Sequence, residues 1–290
     1  MKTGIKFNQF KGESVMKKGI FAAFALVAVL AMAIPASAHF MMVYTPEIAM
    51  NKGGDMDFRM VFTHPAEAGH TMNMGGVNEF YVLSQRGDAK AKKTDLMPYV
   101  KEIKWTNPAS SNTAYSAMLP KKVVRSMGDY TFVFVPGYYF EEEEGIYMQQ
   151  ITKLIANVGG IPGNWADPVG LPCEIVPLIK PYGVWTGNVF KAQVLSNGKP
   201  VAGAEVEVEF MNHMPDMTKN AMPAKGSVEY PHDSMVTQTI FTDSEGYITF
   251  GIPKAGWWGF AALGVGPDTE YKGKELSQDA VIWVKAVDMK

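Results

Sequence analysis

The side chains best equipped for chemistry in this sequence are histidines and methionines, and the first histidine follows what reads as a processing signal. His39 comes directly after Pro35-Ala36-Ser37-Ala38, a small-x-small pattern suited to signal cleavage. Cleavage after Ala38 would make His39 the first residue. Its α-amine and its imidazole Nδ1 could then chelate one ion through a six-membered ring. Amine and imidazole nitrogens suit nickel, cobalt, copper and zinc. An α-amine with a pKa of about 8 gives up its proton to such an ion at neutral pH.

A second group of donors lies in His64-Pro65-Ala66-Glu67-Ala68-Gly69-His70. Pro65 and Gly69 predict a loop, so two imidazoles and the Glu67 carboxylate can converge on one ion. Loop histidines are often merely solvated, and it is His39 that gives the spacing weight. Met41, Met42, Met72 and Met74 lie close to these histidines, and Met211, His213, Met214 and Met217 form a second cluster. Thioethers are soft ligands that prefer Cu(I). Methionine is also ordinary core filler, so the sequence leaves open whether His213, Met214 and Met217 form a second site. The acidic run 141–144 reads as a solvated face, with attraction of cations as a lesser alternative.

Other chemistries find little support. The sequence has no nucleophile elbow and no phosphate loop. Lys+Arg is 27 and Asp+Glu is 29, without the basic excess of a nucleic-acid binder. A single cysteine, Cys173, can form neither an internal disulfide nor a thiolate cage. The reading is therefore non-enzymatic, with no nucleic-acid partner.

The elements that must position these residues are strands. Of the 290 residues, 47% are hydrophobic and 19% charged, a globular composition. Residues 1–38 read as a signal peptide whose natural start is Met16: Lys17-Lys18, then an apolar run, then the cleavage pattern. The mature chain is expected to be exported, periplasmic and without a membrane span. It keeps 22 basic and 28 acidic residues, since five lysines and one glutamate lie in 1–38. Runs rich in Val, Ile, Phe, Tyr and Thr predict strands at 57–63, 79–85, 113–119 and 128–135. Residues 147–158, after the acidic run, predict the one helix.

In the second half, Glu205, Glu207 and Glu209 alternate with Val206, Val208 and Phe210, predicting one wet and one buried face. Residues 237–242 and 247–250, around Asp243-Ser244-Glu245-Gly246, predict a hairpin. The expected fold is all-β, with two β-sandwich domains at 39–171 and 182–290. The second is immunoglobulin-like or transthyretin-like, and the proline-punctuated segment 172–181 connects the two.

Several stretches together resemble a known family. They are His39-Phe40, Phe62-Thr63-His64-Pro65 with Glu67, Gly170-Leu171-Pro172-Cys173-Glu174-Ile175-Val176-Pro177-Leu178, Gly198-Lys199-Pro200-Val201-Ala202-Gly203-Ala204, Thr242-Asp243-Ser244-Glu245-Gly246 and Gly251-Ile252-Pro253-Lys254-Ala255-Gly256-Trp257-Trp258. The chain resembles the exported component family associated with cobalt/nickel ABC-type uptake, otherwise labelled a domain of unknown function. The resemblance covers essentially the whole mature chain. It implies a periplasmic protein that captures Ni(II) or Co(II) and hands it to an inner-membrane transporter. The positions it carries over are His39 and His64, then Glu67 and His70. The methionine content departs from that picture towards copper, as in a copper chaperone or an N-terminal-histidine copper redox enzyme. A structural or adhesive exported β protein is the remaining alternative.

Overall fold

The computed structural model describes residues 39–289, so the signal-peptide reading falls outside the described residues. In chain order the strands begin with β1 (Phe40–Tyr44), β2 (Ala49–Met50), β3 (Met56–Thr63), β4 (Thr71–Met72), β5 (Val77–Gln85), β6 (Lys92–Asp95) and β7 (Val100–Thr106). They continue with β8 (Ser111–Leu119), β9 (Gly128–Pro136), β10 (Tyr139–Glu141), β11 (Ile146–Val158), β12 (Cys173–Pro177), β13 (Val184–Trp185) and β14 (Val189–Ser196). The last are β15 (Lys199–Pro200), β16 (Glu205–Phe210), β17 (Thr237–Phe241), β18 (Tyr247–Gly251), β19 (Gly256–Ala262), β20 (Glu270–Tyr271) and β21 (Lys274–Val287). The only helical turns among the described residues are 3₁₀ turns at Met97–Tyr99 and Asp233–Met235. The fold is all-β, as the runs of β-branched and aromatic residues predict.

Three sheets stack on two cores. A twelve-stranded sheet runs β17-β16-β19-β21-β11-β9-β5-β6, with short strands attached to β11 and β21. A five-stranded sheet (β1-β3-β8-β7, with β4 on β3) covers part of one face, and a four-stranded sheet (β12-β14-β15, with β18 on β14) covers part of the other. Alternation along β21 shows the arrangement. Val281 and Trp283 enter the first core, whereas Ala280, Ile282, Val284 and Ala286 enter the second. Successive strand residues point to opposite faces, so one strand serves both. The halves 39–171 and 182–290 therefore share a continuous sheet, because β11 pairs in parallel with β21 from Tyr147↔Leu276 to Leu154↔Trp283. Part of the connector 172–181 is itself strand β12, paired with β14.

Three expectations need correction. Residues 147–158 form strand β11, not a helix. From Gln149 on, both faces of β11 are buried, so its apolar positions carry no clear period, and pattern alone does not separate such a strand from a buried helix. The predicted hairpin at 237–250 is absent: β17 pairs with β16 in the large sheet, while β18 crosses to pair with β14. The turn Asp243–Gly246 is an arch between layers. Finally, the outer face of β16 is wet only at Glu205, since Glu207 and Glu209 are buried and Glu209 accepts from Ala66 N in the loop after β3.

The second core holds one buried ion pair. Lys153 Nζ lies 2.7 Å from Glu174 Oε2, and both side chains are shielded from solvent. Burial alone would raise the Glu174 carboxyl. Lys153 and the N–H groups of Val169 and Gly170 outweigh that and hold it below the ordinary range.

Candidate metal centre

Strand register brings the histidines together. Phe40 pairs with Thr63 and Met41 with Phe62, so position 39 stands opposite position 64, one step beyond the ladder. Phe62 pairs with Met72 and Thr63 with Thr71, so position 64 in turn stands opposite position 70. Three histidines thus occupy one row across β1, β3 and β4. The His39 and His64 rings approach to 4.6 Å between centroids at 52°.

Glu141 completes this group. His39 Nε2 lies 3.2 Å from Glu141 Oε2, and the Tyr139 hydroxyl donates to the same oxygen at 3.1 Å. Burial, reinforced by the Glu141 charge, pushes Tyr139 up to about 12, so it stays a donor at neutral pH. A carboxylate on one ring nitrogen fixes the imidazole's orientation and raises the basicity of the other, the usual outer arrangement of a metal-binding histidine. Read from sequence as a solvated face, the acidic run in fact divides: Glu142, Glu143 and Glu144 are exposed, while Glu141 turns inward.

The start of β1 is held by the central sheet. Gln150 on β11 accepts from Met41 N and donates to His39 O, both at 2.7 Å. Its Nε2 also donates to Asp279 Oδ2 at 3.2 Å. Asp279 is fully buried, and desolvation raises its carboxyl above the ordinary range. Trp283 Nε1 donates to Met41 O one row further along.

His64 is buried and opens a pinned loop. Asn107 Nδ2 donates to Thr63 Oγ1 and to Gly69 O, and Thr63 Oγ1 donates to His70 O. Glu209 Oε2 accepts from Ala66 N, and Asn212 Nδ2 donates to Ala66 O. A Cβ on Gly69 would stand 2.9 Å from His64 Cβ and 3.1 Å from Cδ2, so glycine is needed where the loop folds over the ring. Burial raises the Glu209 carboxyl to about 8. Glu207 rises to about 7 through burial, then the charges of Glu205, Asp279 and Glu144. Both carboxyls therefore hold their protons through much of the neutral range.

The remaining sequence candidates sit differently. Glu67 and His70 are exposed, at the outer end of the same loop. Met41, Met42, Met72 and Met74 are buried in the first core. Met41 and Met74, with Met148, line a small cavity whose wall includes Tyr139 and Gln150. In the second cluster, Met211 and Met222 are core residues. His213 Nδ1 engages Pro223 O at 2.8 Å, while Met214 is exposed. The Asn212 and His213 N–H groups both donate to Pro65 O, so this segment braces the His64 loop.

Among the described residues, no group of three His, Cys, Asp or Glu side chains forms a ready-made metal cage. Sequence reasoning missed Glu141, Tyr139, Gln150, Asn107 and Glu209. Only Tyr139-x-Glu141, two polar ends on one side of a strand, left a readable signal.

No helix among the described residues is long and apolar enough to cross a membrane. Solved structures similar to this chain include the D0-D1 domain of intimin, at 11% identity and TM-score 0.20, covering 86% of this chain and 100% of that one. The two tandem V-type regions of the chitin-binding protein VCBP3 match at 11% identity and TM-score 0.22, covering 83% and 98%. The Clostridium thermocellum CbhA fibronectin(III)-like modules match at 9% and TM-score 0.18, covering 84% and 95%. No curated protein matches the chain. Residues 36–266 match the family described as "Domain of unknown function (DUF4198)", and the chain belongs to that family.

Proposed function

We propose that this is an exported, periplasmic, non-enzymatic metal-binding protein. It captures Ni(II) or Co(II) and delivers the ion to an inner-membrane uptake transporter. The ligands are the α-amine and Nδ1 of His39, released by cleavage after Ala38, and the imidazole of His64. Glu141 orients His39 through Nε2. His70 and Glu67, on the exposed rim of the same row, are the groups that a bound ion would recruit. The observation that carries the reading is the convergence of His39 and His64, from separate strands, with a carboxylate behind the first ring. The ring of His39 is only partly covered, and Glu67 and His70 stand exposed beside it, which suits release as well as capture.

One observation favours copper as a second reading. Met41, Met74 and Met148 line a cavity directly behind Tyr139, near the His39 ring, and thioethers stabilise Cu(I). On that reading the chain is a copper carrier or a copper redox protein.

The test is calorimetric titration of the chain beginning at His39 with Ni(II), Co(II) and Cu(II), beside His39→Ala, His64→Ala and a chain with one residue added before His39. Each change should weaken binding by at least about a hundredfold, since each removes a ligand. Tight binding that survives in all three variants would overturn the site. N-terminal sequencing of the exported protein should read His39 first, and any other first residue removes the chelate. Because nitrogen ligands favour Cu(II) in any case, the second reading is selected only by Cu(I) binding under reducing conditions that is lost in Met74→Ala.

A further inference from the structure

At the other end of β9 lies a cleft of opposite charge. β9 runs from Gly128 to Pro136, and Pro136 borders the cavity shared with Tyr139 and Gln150. Eight steps at about 3.3 Å place Gly128 roughly 26 Å away. There, between the β5–β6 hairpin and the segment before β9, is a cleft of about 420 Å³. Five cations line it: Arg86, Lys90, Lys92, Lys122 and Arg125. All five are exposed, and none makes an ion pair with a carboxylate among the described residues. No Asp or Glu lines the cleft. In a chain with more acidic than basic residues, such segregation has an electrostatic cost, because like charges are held together without counter-charges.

The cleft stands on rigid backbone. A Cβ on Gly128 would meet Gln85 O, and one on Gly53 would meet the carbonyls of Val124 and Arg125, so these chains touch. The Tyr130 hydroxyl donates to Ser126 O at 2.7 Å. The segment carrying Lys122 and Arg125 is thereby fixed beside the hairpin carrying Arg86, Lys90 and Lys92. Two guanidinium forks and three ammonium groups, with the Thr94 and Ser126 hydroxyls, match an oxyanion with several negative charges.

We propose that this cleft binds clustered phosphate charge, either a free polyphosphate ester or the adjacent phosphate headgroups of an anionic lipid surface. The proposal is independent of the histidine site. The probes are inorganic tripolyphosphate, measured by calorimetry, and phosphatidylcholine vesicles with or without phosphatidylglycerol, measured by flotation. The test variant is Lys122→Glu/Arg125→Glu. The control is Lys191→Glu/Lys199→Glu, an equal charge change on the four-stranded sheet, and unchanged melting verifies that both fold. Wild type and control should bind tripolyphosphate, and the cleft variant at least about tenfold more weakly, because charge-assisted contacts are lost. Added salt should weaken binding steeply. Binding to phosphatidylglycerol vesicles, lost in the same variant, assigns the ligand to a headgroup, while tripolyphosphate binding alone assigns a free ester. Absence of binding to both probes, or equal loss in variant and control, overturns the proposal.

Discussion

Replacing Glu209 with glutamine tests the buried acidic layer directly. Glu209 is 2% exposed, its Oε1 accepts from the Thr237 hydroxyl, and its Oε2 accepts from Ala66 N in the His64 loop. Its carboxyl sits at about 8 rather than 4.5, chiefly through burial. A carboxyl raised on folding holds its proton longer in the native state. Its contribution to stability is complete below the unfolded value and is lost as pH rises through about 8. At about 1.4 kcal/mol per pH unit, the loss between those limits is about 5 kcal/mol. Glutamine keeps the size and one acceptor but cannot ionise. Glu209→Gln should therefore match or slightly trail wild type near pH 5 and exceed it by several kcal/mol near pH 9, with the curves crossing between. Urea denaturation across that range measures the difference. Parallel curves for the two proteins would refute the reasoning, since they would mean Glu209 titrates alike folded and unfolded.

Further predictions follow from particular contacts. Glu174→Ala leaves Lys153 buried without its partner and should cost about 3–5 kcal/mol in urea denaturation. Gly69→Ala pushes a methyl against the His64 ring, so metal affinity should fall while the melting temperature changes little; equal affinity would show that the loop yields instead. The Cys173 thiol is buried and its ionisation is pushed up by that burial, then by Asp279, Glu174 and Asp268. A disulfide reagent should label it only after unfolding, and rapid native labelling would contradict the packing. Trp283→Ala empties a fully buried position and removes the hydrogen bond to Met41 O, so a loss of about 3–5 kcal/mol is expected on denaturation.

Much of the fold was legible because strands announce themselves by composition. Residues 57–63, 79–85, 113–119 and 128–135 fall within β3, β5, β8 and β9. The failures share one cause, which is layering. A strand buried on both faces, such as β11, loses its period and imitates a helix. Alternation in β16 gave the sides correctly, with Val206, Val208 and Phe210 in the second core. It could not show that the His64 loop would cover the opposite side. The arch between β17 and β18 looked like a hairpin because turn residues mark a reversal, not the sheet in which each arm pairs. At the site, His39 and His64 were legible through residue type, and register supplied their meeting. Glu141, Gln150 and Asn107 were not, because their roles depend on contacts across 102, 111 and 44 positions of chain.

The parallel pairing of β11 with β21 has a consequence for how the molecule is made. The middle of the large sheet waits for β21, because β21 separates β11 from β19 and feeds both cores. Such high contact order slows folding. Until residues 274–287 are in place, neither core can close, and the strands made earlier keep their apolar faces open. A chain truncated before Lys274 lacks the wall common to both interiors.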